Sequence, residues 1–204
     1  MLEDVQRMAV PELTRVFGQT GLYLRPNASI AAELSGNMLG TVISLQRRGR
    51  LLDGLVRCLD YQLPLCSSTL SLVYGLFALE DSAEPELLVQ EIARVLQPEG
   101  TALMIGFNPW GFSRLRWRLR GARPGAHANI GRIAADAGLE VVRRQYLGPI
   151  WPSLSRGLPD PKRTRWYDGL RVAELVVLRR RDLALTPLRM SHPAVSLRPG
   201  MSAG

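Results

Sequence analysis

Two apolar runs separated by an amphipathic one constrain this chain more than any other feature. Leu70 to Leu79 (LSLVYGLFAL) is apolar at nearly every position, and so is Thr101 to Phe107 (TALMIGF). Each has the length and composition of a strand buried on both faces. Between them Leu87, Leu88, Ile92, Val95 and Leu96 recur at helical spacing. Pro85 suits the first turn of that helix, and Glu84 and Glu86 favour the positive end of its dipole. Pro98-Glu99-Gly100 turns the chain into the second strand. A strand–helix–strand succession of this kind predicts a parallel pair joined by a crossover, and therefore an α/β fold.

The flanking sequence extends the pattern. Val5, Met8, Ala9, Leu13, Val16 and Phe17 form one stripe of a helix over Asp4 to Phe17, with Pro11 as a break and Gly18 as its end. Runs headed by Gly21, Gly40 and Leu55 have the size of strands, with only a short helix, Ala28 to Leu34, between the first two. Ala128 to Ala137 reads as an amphipathic helix closed by Gly138. Leu139 to Leu147 and Leu170 to Leu178 read as two more strands, separated by a stretch rich in Pro and Gly. Seven strands result. The 204 residues suit a single domain over 1–181, with 182–204 as a tail rich in Pro, Ser and Arg.

Apolar residues make up 46% of the chain and charged residues 22%, a globular composition. No apolar run reaches the ~18 residues of a membrane span, and the acidic start lacks the order of a secretory signal. A cytoplasmic protein is expected. Cys58 and Cys66 have no neighbouring His or second Cys pair, so no metal site is expected.

Charge is unevenly spread. Residues 1–113 carry 8 Arg and 12 acids, whereas residues 114–204 carry 18 basic residues and 6 acids. Arg114, Arg116, Arg118 and Arg120 interleave with Leu115, Trp117 and Leu119, and Lys162, Arg163 and Arg165 form a second group beside Trp166. Such a half attracts a nucleic-acid backbone, another anionic ligand or surface, or an acidic protein face.

The run from Leu63 to Trp110 resembles the type 11 group of class I S-adenosylmethionine-dependent methyltransferases. Leu63-Pro64, the strand from Leu70, the helix ending Arg94-Val95-Leu96-Gln97-Pro98-Glu99-Gly100 and the strand from Thr101 stand where that family has them. The ending Gly106 to Trp110 is similar to that of a bacterial subgroup. Ala137-Gly138-Leu139 and Glu174 to Val177 resemble the family's late helix-to-strand step and its final strand. The resemblance implies a Rossmann-like, seven-stranded, mostly parallel sheet with helices on both faces and the last strand antiparallel.

It also implies a cofactor shell, and here the chain departs from the pattern. The family follows its first strand with a glycine-rich turn; this chain has Leu24-Arg25-Pro26-Asn27, without glycine and with a cation that repels a sulfonium. The second strand ends Gln46-Arg47-Arg48, where the family has a ribose-binding carboxylate. Asp60 resembles the acid beside the adenine, displaced by one position, and reads as a solvated strand end. Leu24, Gln46 and Asp60 are the candidate cofactor contacts. Glu80 and Asn108 follow the fourth and fifth strands and face the substrate side of the cleft, Asn108 doubling as a helix cap before Pro109. The aromatic residues Trp110, Phe112 and Trp117 are expected in the core. Two functions follow: a non-catalytic relative that binds through its basic half, or a methyltransferase with an atypical cofactor site.

Overall fold

The computed structural model describes residues 2–108, 110, 125–148 and 168–181. Its elements are α1 (Leu2–Leu13), β1 (Phe17–Arg25), β2 (Met38–Arg48), β3 (Leu51–Asp53), β4 (Cys58–Leu59), β5 (Leu70–Leu76), α2 (Pro85–Val95), β6 (Leu96–Phe107), α3 (Gly125–Ala128), α4 (Ile130–Asp136), β7 (Leu139–Leu147) and β8 (Ala173–Arg180). The strands form one sheet in the order β4-β3-β2-β1-β5-β6-β8-β7. β2, β1, β5 and β6 pair in parallel, and β8 runs antiparallel between β6 and β7. This is the Rossmann-like α/β architecture expected from the sequence.

Burial alternates along the central strands and so builds two cores. On one face Leu22, Leu24, Val73, Ala102, Met104 and Val176 meet α2 and α4. On the other, Tyr23, Leu72, Tyr74, Leu103, Ile105 and Leu175 meet Val5, Ala9 and Leu13 of α1. Every residue of β5 is buried, which is why its sequence shows no period-two alternation.

Four expectations are corrected. The sheet has eight strands and not seven, because the run read as one strand from Leu55 is a hairpin edge. Gly49, at φ 65°, turns β2 back into antiparallel β3, and β4 holds only Cys58 and Leu59. Leu55 itself is 83% exposed in the turn between them. α1 runs through Pro11 and stops at Leu13, leaving Phe17 to start β1 four residues before Gly21. No helix forms over Ala28 to Leu34. Finally, the turn at Glu99 (φ 62°) lies within β6 as an irregularity, so that Leu70 pairs with Leu96 and Leu72 with Thr101.

Arg180 fastens the end of the sheet to α2. Its guanidinium donates to the carbonyl oxygens of Ala93 and Leu96 and to Ser68 Oγ, where the last turn of α2 has carbonyls to satisfy. Arg180→Ala is expected to cost about 2 kcal/mol, the scale of hydrogen bonds to a charged group, measured by urea unfolding.

Candidate functional site

The strand order reverses between β1 and β5, the place where open α/β sheets leave a crevice at their carboxyl ends. The residues around that edge come from the turns after β1, β2, β4, β5 and β6.

Arg47, the next-to-last residue of β2, is the centre of one group. Its Nη1 donates to Asp60 Oδ2 at 2.8 Å, with the two side chains only 7% and 3% exposed. Ser82 Oγ donates to the same oxygen at 2.7 Å, and Ser82 Oγ in turn accepts from the Glu84 N–H at 3.2 Å. Arg47 Nη2 also reaches the Ala78 carbonyl, at 3.5 Å. One guanidinium therefore ties the end of β2 to the residue after β4 and to the loop after β5. Asp60 is not the solvated strand end expected from its position: the antiparallel hairpin turns it inward against Arg47.

Leu24 and Gln46 lie on the neighbouring strand ends, Leu24 paired with Leu45 and Arg25 with Gln46. Leu24 is buried in the helix-covered core, and Gln46 is half-buried. The turn after β1 is held by its own side chains. Arg25 Nη1 donates to the Ile30 carbonyl, and Asn27 Oδ1 accepts from the Ser29 N–H at 3.0 Å.

Glu80 and Asn108 are both buried. Asn108 joins the end of β6 to the start of β8: its amide donates to the carbonyls of Gly169 and Arg171 at 2.6 and 2.8 Å, and its Oδ1 accepts from the Trp110 N–H at 3.0 Å. The helix expected to start at Asn108-Pro109 lies outside the described residues. Trp110 is 78% exposed, against the expectation of core packing. Glu80 Oε1 accepts from the Phe107 N–H at 2.6 Å. Burial pushes its carboxyl up to about 8, against a partial offset from that N–H.

Beside Glu80 lies His127 of α3, fully buried, with neither ring nitrogen hydrogen-bonded. Its Nε2 is 3.7 Å from Glu174 Oε2, too far for a hydrogen bond. Burial, helped by the nearby Arg144 guanidinium, lowers its pKa to about 3, so the ring is neutral and the contact is no ion pair. Glu174 Oε1 is bound by Arg144 Nη1 at 3.1 Å.

Among the described residues no group of three His, Cys, Asp or Glu is placed to hold a metal. Cys58 and Cys66 are free thiols, half-buried and exposed. Arg114, Arg116, Arg118, Arg120, Lys162, Arg163 and Arg165, like Phe112, Trp117 and the tail from 182, lie outside the described residues. Among the described residues no helix is long and apolar enough to cross a membrane.

Comparison with known proteins bears on this geometry. Residues 12–104 match the model of a methyltransferase-domain family. Solved structures of methyltransferases and putative methyltransferases share the fold. A chain of the complex between the Haloferax volcanii Trm112 methyltransferase activator and the putative methyltransferase is 16% identical, with a TM-score of 0.60 over 88% of this chain and 90% of that one. The chain has the Rossmann-like fold of these methyltransferases. A putative methyltransferase from Bacillus halodurans superposes with a TM-score of 0.59 at 14% identity, over 88% of this chain and 100% of its own. An Aquifex aeolicus SAM-dependent methyltransferase gives 0.58 at 16%, over 88% and 92%. No curated protein matches the sequence.

Within this methyltransferase-like chain, sequence reasoning named Asp60 and Glu80 but missed their partners. Arg47 was legible only as an arginine standing where a carboxylate belongs. Ser82, Arg144 and Glu174 gave no local signal. His127 is the lone polar ring in a short apolar helix, which is the one hint the sequence offers.

Proposed function

We propose that this is a methyltransferase-fold binding protein in which the seat of S-adenosylmethionine has been given over to an internal ion pair. The observation that carries the reading is the Arg47–Asp60 contact at 2.8 Å. In this reading the residues present do not fit the cofactor. Asp60, the carboxylate that resembles the family's acid beside the adenine, accepts instead from Arg47 and Ser82. The turn after β1 offers Arg25 and Pro26 where backbone N–H groups would have to approach a ligand. Arg25 at the end of β1 disfavours a sulfonium, while the charge of Arg47 on the neighbouring strand is met by Asp60. Methyl transfer is therefore not the activity proposed. Fold alone does not argue otherwise, because one fold serves many sites.

Binding is assigned to the basic C-terminal half. Arg114 to Arg120 and Lys162 to Arg165 supply the charge, and nucleic acid, an anionic ligand or an acidic protein face supplies the complement. A cytoplasmic setting and a domain over 1–181 with a tail over 182–204 belong to the same reading.

Calorimetric titration with S-adenosylmethionine and S-adenosylhomocysteine tests it. No heat is expected up to millimolar ligand; micromolar binding would overturn the reading and leave the competing one, a methyltransferase with an atypical cofactor site. Binding of RNA, DNA and anionic vesicles should weaken steeply as salt rises. Binding that ignores salt, or none to any of the three and to no acidic protein, removes the basic half from the account.

A further inference from the structure

Near its carboxyl end β6 is bare at Gly106, and two buried ionisable side chains lie over the gap. A methyl group added there would stand 2.3 Å from the His127 ring and 2.4 Å from Glu80 Oε1. Both side chains thus close on one spot, Glu80 from the loop after β5 and His127 from α3. Glu80 Oε2 has no hydrogen-bond partner, and neither does Nδ1 or Nε2 of His127. Three such atoms in one buried place are costly unless the two groups satisfy each other. A protonated carboxyl and a neutral imidazole can pair two of the three, the O–H donating to Nδ1, while Nε2 lies 3.7 Å from Glu174 Oε2.

The surrounding charges are few. Glu174 faces the ring from β8 and Arg144 from β7, the two joined at 3.1 Å. Asp81 neighbours Glu80 and is itself opposed by Arg47. On α4, Arg132 is turned away to Asp136 and Glu86, at 3.4 and 3.9 Å.

We propose that Glu80 and His127 form a latch that fastens α3 to the end of β6 only while Glu80 carries its proton and His127 carries no charge. Release of the latch frees α3 from β6 at Gly106, so the attachment of this short helix to the sheet responds to pH.

The direction on each side follows from proton binding. Closed, Glu80 titrates at about 8; open and solvated, it returns to the ordinary 4.5. Between those values opening releases a proton, and rising pH favours it. His127 titrates at about 3 when closed and at 6.5 when free. Between those values opening takes up a proton, and falling pH favours it. The two effects cancel from 4.5 to 6.5, where opening is least.

Amide hydrogen exchange of the full chain reads this directly at His127, Ala128, Asn129 and Ile130, each rate divided by its intrinsic rate. The opening constant is expected to rise by about eightfold between pH 6.5 and 8, less than tenfold per pH unit because the open His127 is still half protonated at 6.5 and the closed Glu80 is half ionised at 8. Glu80→Gln should abolish that rise and leave the acid side intact. His127→Gln should remove the acid rise and extend the alkaline one down to pH 4.5. A constant that stays flat from 6.5 to 8, or an alkaline rise that survives in Glu80→Gln, overturns the latch. Should either variant fail to fold, the His127 ring carbon shift in the unaltered protein decides, with His192→Gln to assign it. It should stay at its neutral value from pH 5 to 8; a midpoint near 6.5 overturns the proposal.

Discussion

Replacing Asp60 by Ala should lower the free energy of unfolding by about 3 kcal/mol, the low end of the cost of stranding one partner of a buried ion pair. Arg47 is 7% exposed and loses its one ion-pair partner among the described residues, while Ser82 Oγ loses its acceptor. The low end is chosen because Asp81 remains within the field of Arg47. Urea denaturation at neutral pH, with the slope checked for two-state behaviour, measures the loss. Asp60→Leu combined with Arg47→Met removes both charges and should recover most of it, since an apolar pair of similar volume escapes the desolvation cost. A loss below ~1 kcal/mol for Asp60→Ala would class the contact with surface pairs and remove it as the closure of the cleft.

Gly106→Ala carries the second large effect, again about 3 kcal/mol. Gly106 is not at positive φ, so the substitution is penalised by space and not by backbone conformation. The added carbon meets the His127 ring at 2.3 Å and Glu80 Oε1 at 2.4 Å. Neither can yield cheaply: the carboxyl is held by the Phe107 N–H, and the ring is buried beneath α3. His127→Ala in the same chain should restore much of the stability, because it vacates the volume the new methyl needs. A thermal-denaturation cycle over the two single variants and the double gives the coupling. If the double variant loses the sum of the two singles, the collision at Gly106 is not where the cost arises.

The central architecture was legible because burial leaves a mark on local composition. β5 and β6 are apolar on both faces, α2 shows its stripe, and Gly138 at φ 78° closes α4 where the sequence placed the stop. The edge was less legible. Leu51-Leu52 and Leu55-Val56 are both apolar pairs, but only Leu52 is buried; the strand assignment rests on Gly49 turning the chain, which apolar composition does not reveal. The site was the least legible part. Asp60 meets a residue 13 positions away, and Phe107 N–H reaches Glu80 across 27. Such pairings are decided by the sheet order, and an acid reads alike whether solvated or clamped until that order is known. The methyltransferase resemblance likewise came from the βαβ unit, while the turns that distinguish one use of the fold from another lie after β1, β2 and β4.

The hairpin at one margin of the sheet has a consequence for what can be added to it. β4 is two residues long, too short to template another strand, so growth by strand addition is stopped on that side. The opposite margin, β7, is nine residues long, with Glu140, Arg143 and Arg144 along it. Among the described residues β7 is the margin long enough to pair with a further strand, and a segment that did so would have to tolerate guanidinium groups.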